Sequence, residues 1–242
     1  MTSPMASLCT PLQEKMSGGE FSTFFDDDDR AAMLRALFAA YYERKLGVSD
    51  GAMAFDTNRT WTARAALLGK LFPETRIICC VRDIGWIIDS VERMLAKNPV
   101  RLSKIFNFQL GSSVYGRVET LMNSESGLIG LPWSSMREAW FGENAKRLIV
   151  IPYENLTKNP QRTLARLYEE LGEPAFQHDF NNVEYEEKEY DDNLGMPGMH
   201  TVRREVRYEE RQPIIPPDIF AKFATTRFWE KTELNVHRVK II

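Results

Sequence analysis

Arg76-Ile77-Ile78-Cys79-Cys80-Val81-Arg82-Asp83 is an apolar run closed at both ends by charge, and a helical pattern follows it from Ile84 to Lys97. Consecutive apolar residues of this length predict a strand buried on both faces, as in a parallel sheet covered by helices. Two more runs repeat the arrangement. Met53-Ala54-Phe55 leads into a helical pattern from Thr60 to Leu71. Leu148-Ile149-Val150-Ile151 leads into one from Pro160 to Leu171, with Asn159 as N-cap and Pro160 at the first helical position. This alternation predicts an α/β fold, a doubly wound parallel sheet with helices on both faces, in a single domain over 1–242. The polar stretch Pro99 to Ser113 and helical patterns at Val114–Met122 and Trp133–Phe141 form an insert beside the sheet.

The flanks are less regular. Residues 1–25 read as loop with one short amphipathic stretch, and Gly18-Gly19 as a plain turn because no apolar strand precedes it. Asp26 to Asp29 stand where a helix N-terminus favours negative charge, ahead of the stripe Leu34, Leu37, Phe38 and Tyr41. No strand with a phosphate-cradling turn opens the chain, so the sheet is expected to lack its first strand.

Composition narrows the chemistry. The chain carries 31 basic and 34 acidic residues, a net charge of −3, which argues against a nucleic-acid coat. No stretch approaches the ~20 apolar residues of a membrane span, and the first residues lack the features of a signal peptide. Cys9, Cys79 and Cys80 have neither disulfide-framework nor metal-ligand spacing, and His178, His200 and His237 are not spaced to share a metal. A soluble, cytoplasmic protein without a metal is expected.

In a parallel sheet, ligands bind beyond the carboxyl ends of the strands, where Arg82 falls. Ser90 lies two turns into the next helix on roughly the same side. A guanidinium fork and a hydroxyl converging on one volume suit a phosphate, although Arg82 could equally pair with the adjacent Asp83.

The stretch Phe72-Pro73 through Arg76 to Asp83, with Ser90, resembles the 3′-phosphate-binding segment of the PAPS-dependent sulfotransferases (PAPS is 3′-phosphoadenosine 5′-phosphosulfate). Tyr153-Glu154-Asn155-Leu156, with Asn159-Pro160, is similar to that family's Y-E-D-L/M-x-x-N-P signature, with Asn155 in place of aspartate. Phe55-Asp56-Thr57-Asn58-Arg59, followed by Trp61, falls where the family places a basic residue near the transferring group. The details resemble the bacterial branch related to tyrosylprotein sulfotransferases.

The resemblance implies a P-loop-like fold and transfer of a sulfuryl group from PAPS to a hydroxyl or amine. Arg82 and Ser90 would then grip the 3′-phosphate, Tyr153 would approach the adenine, and Arg59 would lie near the sulfuryl group. Family members also carry a late basic loop that closes the site. Thr201 to Lys240 hold nine basic against six acidic residues, which makes Arg203 and Arg204 candidates beside the plainer reading of a solvated loop.

The family's R-S-G-[ST]-T-like loop for the 5′-phosphosulfate is not found, so the chain is expected to begin after it or to be a non-catalytic PAP- or PAPS-binding remnant. A P-loop kinase relative would need a Walker lysine, which is missing here, and an interaction protein would need a partner to complete its sheet. Acceptor, catalytic base and oligomeric state are left open.

Overall fold

In the computed structural model, residues 3–47, 53–108 and 113–242 are described, and the chain divides into two compact units, Met1–Ile77 and Ile78–Ile242. Residues 109–112 of the insert lie outside the described residues.

The first unit is helical: α1 (Met5–Ser17), α2 (Asp27–Leu46) and α3 (Ala65–Leu71), with 3-10 turns at Glu20–Phe24 and Thr62–Arg64. Asp26 starts α2 through a capping box, accepting from the Asp28 and Asp29 amides at 2.9 and 2.8 Å while the Asp29 carboxylate accepts from the Asp26 N–H. Leu34 and Phe38 of the expected stripe are buried, and the Phe38 ring meets Trp61 and Phe72 edge-on or tilted. The strand expected at Met53-Ala54-Phe55 does not form. These residues are exposed and irregular, and a three-residue run with no neighbouring ladder cannot satisfy its backbone as a strand.

The second unit carries the sheet. Among the described residues it has three strands in the order β1 (Ile77–Val81), β2 (Leu148–Pro152) and β3 (Lys240–Ile241), with β2 and β3 parallel in the register Ile149↔Lys240 and Val150↔Ile241. All five residues of the central β2 are buried, as a strand covered on both faces requires. The sequence reading did not find β3; two residues are too few to show a period. The result is a mixed α/β unit with a small sheet flanked by helices.

Around the sheet run α4 (Ile84–Lys97), α5 (Val114–Leu121), α6 (Gly130–Phe141), α7 (Tyr153–Lys158), α8 (Pro160–Leu171), α9 (Lys188–Leu194) and α10 (Pro217–Phe223). α4 and α8 match their expected bounds. Asn159 precedes Pro160 as foreseen, but its side chain makes no cap bond. Leu167 of α8 packs with Ile149 and Ile151 of β2 and with Ile242, just beyond β3.

α4 organises the second core. Ile84, Ile88 and Val91 follow one stripe and pack with Leu121, Met196, Ile215 and Ile219. Gly85 lets α10 approach, since a Cβ there would lie 3.1 Å from the Phe220 ring. Two acidic residues of α4 are buried with partners. Glu92 accepts from Arg117 of α5 through both oxygens, at 2.9 and 2.5 Å, and Asp89 anchors the arginines described below. The Glu92 bond holds Arg117 above the usual guanidinium range, against the opposing effect of burial.

Ile88 is fully buried at the centre of this core. Ile88→Ala should cost about 3 kcal/mol by lost transfer energy and the cavity left behind, read as a lower urea midpoint at unchanged slope.

Candidate functional site

The end of β1 delivers Arg82, and the next residue decides where it turns. Asp83 is buried and caps α4, its carboxylate accepting from the Trp86 amide at 3.4 Å and lying 3.4 Å from the Arg227 guanidinium. Asp83 is thus engaged elsewhere, and the Arg82 guanidinium lies over Tyr153, 3.9 Å from its ring centroid, with the Trp86 ring at 5.8 Å. Both aromatic contacts suit a delocalised cation.

Tyr153 arrives from the next strand. The expected adenine signature turns out to be the short helix α7, which starts directly after Pro152 and so fixes Tyr153 at the carboxyl end of β2. Asn155, which stands where the signature has aspartate, donates its amide to the Ile242 carbonyl at 2.9 Å. A carboxylate could not make that bond, so the departure from the signature has a local use.

Ser90 lies on the α4 face that bears Trp86. Its hydroxyl donates to the Trp86 carbonyl at 3.0 Å and accepts from Arg211 Nη2 at 2.8 Å. Arg211 lies 121 residues further along the chain and spans the site, with its guanidinium 5.4 Å from the Trp86 ring.

Asp89 holds it there. This carboxylate is fully buried, pairs with Arg211 Nη2 at 3.0 Å and Arg93 Nε at 2.9 Å, and accepts from the Ile214 amide at 2.6 Å. Burial pushes the Arg211 guanidinium below its ordinary range; Asp89 opposes this, and the nearby Arg82 and Arg93 add to it. Two guanidinium groups thus share one carboxylate, with Arg82 as a third cation nearby, and the surplus is positive. The Nε atoms of Arg82 and Arg211 are both buried without a hydrogen-bond partner among the described residues. Orphaned cationic donors of this kind call for an anion.

A cavity of about 400 Å³ opens beside Arg82 and Ser90. Its wall is mainly apolar, from α4 (Ile87, Val91, Met94), from α6 (Trp133, Met136) and from Met196 and Met199. The last two sit on a loop pinned by buried Asp191, which accepts from the His200 amide at 2.8 Å and bonds His200 Nδ1. Gly195 starts that loop at φ 73°, where a Cβ would fall 2.3 Å from the Leu102 carbonyl oxygen.

The profile of the sulfotransferase family matches residues 11–178, more than half of the chain. The chain belongs to the sulfotransferase family. No curated protein and no solved structure shows significant similarity to it.

Of the residues singled out in the sequence, Arg82, Ser90 and Tyr153 come together. Arg59 lies on an exposed turn of the first unit. Arg203 and Arg204 are exposed; Arg203 pairs with Glu209, and Arg204 donates to Asn182 Oδ1 at 2.8 Å. Their segment is laid against residues 180–185 by backbone bonds such as Val206 N–H to Phe180 O at 2.8 Å and Val183 N–H to Arg204 O at 2.8 Å. The late loop reaches Ser90 through Arg211 instead.

Sequence reasoning passed over Arg211. The available signal was its position just before Pro213-Ile214-Ile215-Pro216, an apolar segment whose Ile215 is buried.

Cys79, between the same strand's exposed Cys80 and Ile78, is no candidate nucleophile: burial pushes its thiol up to about 12, so it is protonated at neutral pH. Among the described residues, no three metal-ligating side chains gather, and no helix is long and apolar enough to cross a membrane.

Asp89→Ala would release Arg93, Arg211 and the Ile214 amide together. The expected cost is about 3 kcal/mol, at the low end for a broken buried pair because both arginines are partly exposed. Thermal melts of the variant against wild type measure it.

Proposed function

We propose that the chain transfers a sulfuryl group from PAPS to a hydroxyl or amine acceptor, and that Arg82, Ser90 and Arg211 bind the donor's 3′-phosphate. The observation that carries this reading is a pair of arginines, Arg82 and Arg211, that both lie over the Trp86 ring with their Nε–H groups buried and unpartnered, Arg211 also bonding the Ser90 hydroxyl through Nη2. A phosphate offers enough acceptor oxygens for both arginines and neutralises the charge that Asp89 leaves over.

In this reading the strands form part of a P-loop-like core, and each side chain has a role. Tyr153 presents its ring toward the adenine from the end of β2, while Arg82 covers its other side. Arg211 takes the closing role expected of Arg203 and Arg204, which brace the loop through Glu209 and Asn182. Arg59 is assigned to the neighbourhood of the sulfuryl group on the family resemblance alone.

Bound PAPS supplies the group transferred: the acceptor oxygen or nitrogen bonds to sulfur as the sulfur–oxygen bond to the 5′-phosphate breaks, PAP leaves, and the acceptor's proton passes to a base or to water. The protein's part is to fix one end of the donor and keep its charge compensated, a contribution of positioning and electrostatics.

Titration calorimetry with PAP and with AMP, which lacks the 3′-phosphate, tests the assignment. Wild type should prefer PAP, and Arg82→Ala and Arg211→Ala should each weaken PAP by about 10- to 100-fold, the worth of one charge-assisted hydrogen bond, while leaving AMP unchanged. Unchanged PAP affinity in Arg82→Ala would remove the phosphate site from this position. Release of PAP from PAPS in the presence of acceptor then separates a transferase from a protein that only binds the nucleotide.

A further inference from the structure

Two exposed surfaces, one on each unit of the chain, are held in shape by hydrogen bonds and are opposite in charge. The first is the turn between α1 and α2. Residues Glu20–Phe24 form a 3-10 turn, in which side chains three positions apart project from the same side. Phe21 and Phe24 therefore stand together, and they are 66% and 74% exposed. The turn is pinned from below. Arg30 of α2 donates to the Met16 carbonyl at 3.1 Å and to the Ser22 carbonyl at 3.2 Å, while the Ser22 hydroxyl donates to the Gly19 carbonyl at 2.8 Å. The charge around the two rings has one sign: Glu20 and Asp26 to Asp29 are exposed, and the only cation among residues 18–30 is Arg30, whose ion pair is with Asp27.

The second surface is the segment 97–108, which follows α4. It carries Lys97, Arg101 and Lys104 and no acidic residue. Val100, Leu102 and Phe108 are exposed, Val100 at 94%. This segment is also held. The Asn98 carbonyl accepts from the Arg101 amide at 3.2 Å. Buried Ser103 donates to the Leu194 carbonyl at 3.3 Å and accepts from the Ile105 amide at 3.1 Å, capping the 3-10 turn Lys104–Phe106. Arg101 pairs with Asp192 at 2.8 Å, whereas Lys97 and Lys104 are exposed and have no ion pair among the described residues.

Single exposed apolar residues need no explanation, but ordered apolar groups rimmed by charge mark contact surfaces. We propose that these two surfaces are the halves of an interface between copies of this chain. The Phe21–Phe24 turn of one copy docks on the 97–108 segment of the next, its rings against Val100 and Leu102 and its acidic rim against Lys97 and Lys104. Charge selects this occupant. Two Phe21–Phe24 turns facing each other would bring like carboxylates together, and an anionic membrane would repel them. Because the halves differ, the contact is heterologous, and assembly runs head to tail until a ring closes. This inference goes beyond sulfuryl transfer and does not depend on it.

Sedimentation velocity on the full chain is the test. Wild type should sediment faster than a monomer as its concentration is raised, and should shift back toward the monomer between about 50 and about 500 mM salt, where surface charge is screened. Phe21→Ser/Phe24→Ser removes one half and Val100→Ser/Lys104→Ser the other. All four positions are exposed, so melting temperatures should match wild type and keep the comparison free of folding effects. Each double variant alone should lose self-association by at least about 10-fold, the cost of truncating an interface anchor. An equimolar mixture of the two should form a heterodimer and nothing larger, since one intact pair of halves remains. A wild type still monomeric at about 1 mM, the weak end of specific binding, would overturn the proposal. Association that persists in either variant would overturn it as well, and a mixture that stays monomeric would show that the two halves do not meet.

Discussion

The buried carboxylate of Asp89 is the constraint on which the candidate site depends. A charge taken out of water is costly unless it is paired and hydrogen-bonded, and Asp89 meets that demand with two arginines and a backbone amide. Each partner comes from a different place. Arg93 is one turn along α4, Arg211 belongs to the late loop, and the Ile214 amide belongs to the segment that leads into α10. One group therefore ties the late loop to the helix after β1, and in doing so sets Arg211 beside Ser90. The apolar core built on Ile84, Ile88 and Val91 supports this, because it decides which face of α4 turns inward.

How much of this is legible in the sequence follows from sequence separation. Arg82 and Ser90 lie eight residues apart on one strand–helix unit, so their convergence follows from local geometry alone. Tyr153 is recoverable because the apolar β2 run announces the strand end that carries it. Arg211 acts across 121 residues, and its local surroundings, with Glu209 and Glu210 just before it, look like any solvated charged loop. Arg203 and Arg204 share that look and do find acidic or amide partners close by. What separates them from Arg211 is the apolar segment following it, which must be buried and carries the arginine inward.

The sheet was legible in the same uneven way. Runs of four and five apolar residues became β2 and β1, whereas Met53-Ala54-Phe55 stayed exposed coil. β3 owes its existence to β2, whose Val150 carbonyl receives the Ile242 amide at 2.9 Å, and not to any pattern of its own. Short strands are defined by their neighbours, and a single sequence does not contain that pairing.

Ser90 shows how little the candidate site would have to change to take the anion proposed for it. A serine hydroxyl has one proton to donate, and here it goes to the Trp86 carbonyl one turn back. That carbonyl lies inside α4 and is already an acceptor in the helix, so losing the serine proton leaves no buried group unsatisfied. Rotation about one side-chain bond would free the proton for an anion oxygen. Arg211 need not leave Asp89 to take part, since its Nη2 makes the bonds to Asp89 and Ser90 while its Nε has none. The donors that stay fixed and the donor that can be redirected are thus held in place by the fold, and the cost of ordering them has been met before any ligand arrives.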